Sequence, residues 1–194
     1  MIDLLRSFEP VAASDAKVVI LGSMPGQRSL SAVEYYAHPR NAFWTIMGAV
    51  VGVAADAAYD ERLRLLQANG IALWDVLHSC HRNGSLDSAI RSGSVRTNDF
   101  TSFFREHSAI ATVLFNGATA ERYYKRYVLP TLERVPGRHR LMPSTSPAHA
   151  AVSLSRKIEL WREALNAALA NGGEKDASER PVSAHVTEPG GHRR

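Results

Sequence analysis

The sequence predicts an α/β fold, a three-layer α/β/α sandwich built on a central, mostly parallel four-stranded sheet. Three observations carry this. Short apolar, β-branched runs recur along the chain, segments with helical spacing lie between them, and the loops after the runs are rich in Gly, Pro, Ser and Asn. Strands that alternate with helices pair in parallel through crossovers, and the crossovers cover both faces of the sheet.

The first run, Lys17 to Leu21, reads KVVIL and stops at Gly22, the pattern of a buried strand. A helix over Asp60 to Asn69 places Leu63 and Leu66 on one face, ends at Gly70 and leads into the second strand, Ile71 to Trp74. Asn98 or Asp99 caps the next helix, which precedes the third strand, Ile110 to Phe115. A helix from Ala118 to about Tyr127 and a short fourth strand, Arg140 to Met142, come next. The amphipathic segment Ser155 to Ala170, with Ile158, Trp161 and Leu165 on one side, closes the fold. A chain of 194 residues, 45% hydrophobic, has length for one core, so residues 1–170 are expected to form one domain. Residues 171–194 lack any apolar period and are expected to be a disordered tail.

Several function classes are excluded or disfavoured by composition. No apolar run approaches the roughly 20 residues that span a bilayer, and the start MIDLLRSFEP is unlike a signal peptide, so a soluble cytoplasmic protein is expected. Cys80 is the only cysteine, which leaves neither an intrachain disulfide nor four thiolates for an iron-sulfur cluster. His78, Cys80 and His81 crowd together, but their spacing does not suit a structural zinc site, and neither metal nor cofactor is expected. The net charge is +4. Because Lys175, Arg180, Arg193 and Arg194 balance Glu174, Asp176, Glu179 and Glu188, that excess sits on the folded part and suits a phosphate-rich partner.

In sheets of this kind ligands bind beyond the carboxyl ends of the strands. GSMPG from Gly22, WDV from Trp74, FNG from Phe115 and MPSTSPAHA from Met142 all fall there, so four loops converge on one rim. GSMPG lacks both the lysine of a P-loop and the glycine spacing of a dinucleotide fingerprint. The nearby segment YYAHPRNAFW, from Tyr35 to Trp44, is dense in aromatic and polar groups and too irregular for an amphipathic helix.

GSMPG followed by YYAHPRNAFW resembles the first motif of the mismatch-specific uracil and thymine DNA glycosylases, which run GINPG and then an aromatic-AHPxNxFW segment. With LWDV, SLDSAI, FNG and PSTSPAH further on, the chain is similar to the hypoxanthine-DNA glycosylase family of the uracil-DNA glycosylase superfamily, from about Val18 to Trp161. The resemblance implies a monofunctional DNA glycosylase acting on DNA that contains deaminated bases, and a monomer is the simplest expectation for an enzyme that must wrap one lesion. It would hydrolyse the N-glycosidic bond of a flipped base, hypoxanthine in deoxyinosine, and leave an abasic site. Uracil or xanthine as the base, or a non-catalytic damaged-DNA-binding module, are the alternatives.

The resemblance also assigns roles. Glycosidic cleavage builds positive charge on the sugar and negative charge on the leaving base, so a weak nucleophile suffices. Asn41 is implied as the principal catalytic residue, its carboxamide oxygen holding water against C1′ and its NH₂ donating to the base. As a cap for a helix starting near Phe43 it would need no such role. Ser23 stands where relatives place an Asn or Asp that positions water; a hydroxyl can orient or relay water but supplies no charge. Tyr36 matches the aromatic that stacks on the extruded base, while Phe43 and Trp44 are read as packing. Gly22, Pro25 and Asp75 are expected around the base, Asp75 replacing an asparagine of the uracil-specific relatives and reading as either a carboxylate, its protonated form, or a simple turn cap. Ser144, Thr145, Ser146 and Pro147 are expected to contact DNA phosphates, and His149 to donate to the leaving base or a phosphate; an ST-rich turn with a surface histidine is the plainer reading. Asn116 is expected to support the rim and Gly117 to allow close backbone approach.

Overall fold

The structure, a computed structural model, describes residues 4–170; the expected tail lies outside the described residues. In chain order the elements are β1 (Leu4–Arg6), β2 (Val18–Gly22), α1 (Gln27–Ala32), α2 (Phe43–Val51), α3 (Tyr59–Ala68), β3 (Ile71–Asp75), β4 (Leu77–His81), β5 (Arg96–Thr97), α4 (Phe100–Glu106), β6 (Thr112–Asn116), α5 (Ala118–Tyr123), β7 (Arg138–Met142) and α6 (Leu154–Ala170). The central sheet has the order β3-β2-β6-β7, and all its pairings are parallel.

Strand alternation divides the core in two. Val19 and Leu21 of β2 point to a layer formed by Phe100, Phe103 and Phe104 of α4 and Ala120 and Tyr123 of α5. Val18 and Ile20 point the other way, to Phe43, Ile46 and Met47 of α2, Leu66 of α3, and Trp161 and Leu165 of α6. Every residue of β2 and β3 is buried, as the β-branched, uninterrupted runs predict for a sheet covered on both sides. The three-layer sandwich is therefore the observed fold.

Differences are local. Ile110, expected in the third strand, is buried in the turn before β6, and the strand instead continues to Asn116. The helix expected to reach Tyr127 stays α-helical only to Tyr123; Tyr124–Val128 widen into a π turn and Leu129–Thr131 tighten into a 3₁₀ turn with Pro130. Of the two candidate caps, Asp99 serves α4, accepting a hydrogen bond from the Ser102 amide at 3.0 Å. A second sheet, order β1-β4-β5 and antiparallel, was not expected from the sequence. Its strands are two to five residues long and β4 reads LHSCH, so no apolar run marks it. Within β4, His78 is exposed and Cys80 buried, which turns neighbouring members of the crowded His-Cys-His segment to different surroundings.

Candidate active site

All four central strands end on the same side, at Gly22, Asp75, Asn116 and Met142. Gly22 and Asp75 are register partners across β2 and β3. A Cβ on Gly22 would lie 2.3 Å from Asp75 Oδ1 and 3.2 Å from the Tyr36 hydroxyl oxygen, so the missing side chain is what admits both groups. Asp75 is 3% exposed, and its Oδ2 has no hydrogen-bond partner among the described residues. Burial, and then the nearby Asp87 charge, push its carboxyl up to about 8, against the opposing pull of Arg82. Near neutral pH the protonated form of Asp75 is thus favoured, and that form presents one donor and one acceptor.

This has a consequence for stability. The carboxyl titrates higher in the fold than in the unfolded chain, so the folded state holds an extra proton. The stabilisation is complete below the unfolded carboxylate value of about 4 and is lost as pH rises through about 8. Melting temperature is therefore expected to fall across that window more steeply for the wild-type chain than for Asp75→Asn; parallel curves would mean that Asp75 is not held neutral.

Tyr36 occupies the left-handed region at φ 56°, a conformation uncommon for a tyrosine and held here by its neighbours. One face of its ring stacks on Phe43, with centroids 4.1 Å apart and planes 22° apart. Its hydroxyl is buried and has no hydrogen-bond partner among the described residues; the Asn116 amide is near enough to influence it without meeting hydrogen-bond geometry. Phe43 and Trp44 are packing residues, Trp44 donating its indole N–H to the Tyr35 carbonyl at 3.0 Å.

Asn41 lies two residues before α2, whose N-cap is Ala42, and its Oδ1 accepts the Phe43 amide at 3.0 Å, so it satisfies the first free N–H of the helix from outside the cap position. Its NH₂ group makes no hydrogen bond among the described residues. The Ala42 amide donates to the Thr145 carbonyl at 3.0 Å, tying this segment to the loop after β7. Thr145 is turned inward and 1% exposed: its amide donates to Asn116 Oδ1 at 2.8 Å, and its Oγ1 accepts from Asn116 Nδ2 at 2.9 Å. Thr145 is thereby turned onto Asn116, whereas Ser144 and Ser146 are half-buried and Pro147 is exposed. Gly117, at φ 103°, admits Ser144, whose Cβ would lie 3.0 Å from an added Cβ. His149 Nδ1 is buried without a hydrogen-bond partner among the described residues, and the His149 carbonyl is held at 2.7 Å by Lys157, itself buried in α6.

Ser23 and Pro25 belong to a second cluster joined to the first through Gly22. Ser23 Oγ donates to Asp87 Oδ2 at 2.7 Å. Arg82, 3% exposed, donates to the Met24 carbonyl at 3.4 Å, to the Gly84 carbonyl at 3.0 Å and to the Pro25 carbonyl, and its guanidinium lies 3.9 Å from Asp87 Oδ1. Pro25 is buried, with its carbonyl committed to Arg82. Asp87 and Arg82 were not singled out from the sequence. Asp87 sits inside the SLDSAI motif, but nothing in one sequence says that residue 87 reaches residue 23.

The parallel four-stranded α/β sandwich gathers buried polar groups beyond its strand ends, and no nucleotide-binding glycine loop stands there among the described residues. The model of the uracil DNA glycosylase superfamily matches residues 9–170, and the chain belongs to that superfamily. It is by membership a DNA glycosylase, a hydrolase of N-glycosyl bonds. It is 34% identical over 155 residues, 79% of this chain and 94% of the relative, to a protein of Methanosarcina acetivorans named hypoxanthine DNA glycosylase. A Methanosarcina barkeri protein of the same name is 32% identical over 160 residues, 82% and 96% of the two chains. The solution NMR structure of a Methanosarcina acetivorans protein provisionally described as a uracil DNA glycosylase superposes with a TM-score of 0.70 at 30% identity, covering 86% of this chain and 99% of that one. Among the described residues no helix is long and apolar enough to cross a membrane.

Proposed function

We propose that the chain excises hypoxanthine from deoxyinosine in DNA, with Asn41, Ser23 and His149 at the reacting bond. The observation that carries this reading is a pair of buried polar atoms without a hydrogen-bond partner among the described residues, Tyr36 Oη and Asp75 Oδ2, on two side chains that both close on Gly22. Buried polar groups are nearly always hydrogen-bonded, and one left unpaired costs about 1–3 kcal/mol. Two of them at one glycine suit a ligand edge with its own donor and acceptor.

A flipped base supplies that edge. The protonated Asp75 carboxyl can donate to a ring keto oxygen and accept from the adjacent ring N–H, the pattern of the six-membered edge of hypoxanthine. Tyr36 offers ring surface for stacking, braced from behind by Phe43. The free NH₂ of Asn41 is available to the base, and its oxygen retains a second lone pair for water. Ser144, Ser146 and Pro147, supported by the inward Thr145 and Asn116, would meet the phosphates, and the His149 ring would donate to the leaving base or to a neighbouring phosphate.

Uracil shares the keto and N–H edge, so purine preference rests on space and on the names of the relatives. Ser23 is smaller than the Asn or Asp of the uracil-reading motif and leaves length in the pocket. Single-turnover release of hypoxanthine is expected to exceed that of uracil by at least about tenfold from otherwise identical duplexes. Equal or faster release of uracil would withdraw the hypoxanthine assignment and leave the superfamily membership intact.

A further inference from the structure

We infer that Asp87 is a positioning residue for the hydrolytic water and acts through Ser23, supplying the negative charge that the serine lacks. The inference rests on the proposed glycosylase reading and deepens it. A hydroxyl has one proton, and Ser23 commits it to Asp87 Oδ2 at 2.7 Å. Toward anything else Ser23 can only accept. A water against Ser23 must therefore donate to it, which turns that water's own lone pair outward, toward the sugar.

The carboxylate is held by the surrounding structure. Arg82, buried, grips the Met24 and Pro25 carbonyls with the same guanidinium that lies 3.9 Å from Asp87 Oδ1. The loop carrying Ser23 and the 3₁₀ turn Asp87–Ala89 are thereby one unit, although 64 residues separate the two side chains. Burial holds the Asp87 carboxyl above the usual carboxylate range, against Ser23, Arg82, Thr119 and Arg122, which favour the charged form. Asp75, on the other side, is raised in part by Asp87 itself. Asp87 thus has partners on both oxygens, Ser23 Oγ at Oδ2 and the Arg82 guanidinium near Oδ1, whereas Asp75 Oδ2 has none among the described residues.

In the reaction the bond from C1′ to the base breaks with its electron pair on the base, and the water oxygen bonds to C1′. The proton that the water loses passes to Ser23 Oγ as the serine's own proton passes to Asp87. The departing base takes a proton from solvent, and Asp87 returns one to solvent. The balance is one water consumed and one free base released.

Asp87 could instead serve only to neutralise Arg82, and kinetics across pH distinguish the two. Single-turnover excision from an inosine duplex would be followed for the full chain from about pH 5 to about pH 9. Asp87→Asn and Ser23→Ala are each expected to slow excision at least about tenfold at neutral pH and to remove the acid limb of the profile. The double variant should be no more than about threefold slower than the worse single variant, because both remove one relay. A wild-type pH profile in Asp87→Asn, or effects of the two substitutions that multiply, would overturn the inference. Should Asp87→Asn fail to fold, Ser23→Ala decides alone, and an unchanged rate or acid limb overturns it. A wild-type chain inactive on every deaminated duplex would remove the glycosylase reading and this inference with it; an active wild type with an unaltered Asp87→Asn profile removes this inference only.

Discussion

Asn41→Ala is expected to lower single-turnover excision by about 10² or more, the scale of losing a group that stabilises charge or places the nucleophile. From the sequence alone, such a variant would be expected to melt like the wild type. The structure changes that expectation, because Asn41 Oδ1 accepts the Phe43 amide at the start of α2. Loss of that bond should cost about 0.5–2 kcal/mol of stability, the usual range for a helix cap. The capping and chemical roles are separable. Asn41→Asp keeps the oxygen acceptor and removes the NH₂, which is free among the described residues, so it should retain the melting temperature while still losing most of the rate. A chain whose rate survives both substitutions, measured under single turnover, would leave Asn41 as a cap alone and shift the search for the reacting group to Ser23 and Asp75.

Gly22→Ala should be comparably severe, through space rather than chemistry. The added methyl would fall 2.3 Å from Asp75 Oδ1 and 3.2 Å from the Tyr36 hydroxyl, at a fully buried strand end. Neither neighbour is a flexible surface tip: Asp75 is in β3 and Tyr36 is stacked on Phe43. Overpacking of this kind costs about 1–3 kcal/mol, and displacement of a base-contacting group by about 1 Å can cost about 10² in rate. Excision should therefore collapse while the chain remains folded at moderate temperature. Gly26→Ala is the control, since its Cβ would meet nothing nearer than 3.6 Å, from Ser85, and its backbone at φ −69° suits alanine. Similar rates for Gly22→Ala and the wild type would mean that Asp75 and Tyr36 do not frame the base.

The alternation of β-branched runs with amphipathic helices was sufficient, in one sequence, to define the parallel sheet, its two covered faces and the rim where the loops meet. Such patterns are local, because the period of burial is written into consecutive residues. The short antiparallel sheet escaped, since strands of two to five residues with a polar alternation carry no comparable signal. Likewise the expected helix after β6 was interrupted by a π turn that no local residue announced.

At the site the motifs named the participants more readily than their states. Tyr36, Asn41, Asp75 and Ser23 stood out as residue types in family-like order, but whether Asp75 is charged depends on burial and on Asp87, twelve residues away. The protonation of a carboxyl is a property of its surroundings, so no single-residue pattern encodes it. The Ser23 to Asp87 hydrogen bond, the Arg82 grip on the loop and the inward turn of Thr145 onto Asn116 are contacts between distant segments. Chain order determined which groups this protein brings to its sheet ends; only the packing of the layers decided which of them touch, because side-chain contact across 29 to 64 residues is made by the fold and not by spacing.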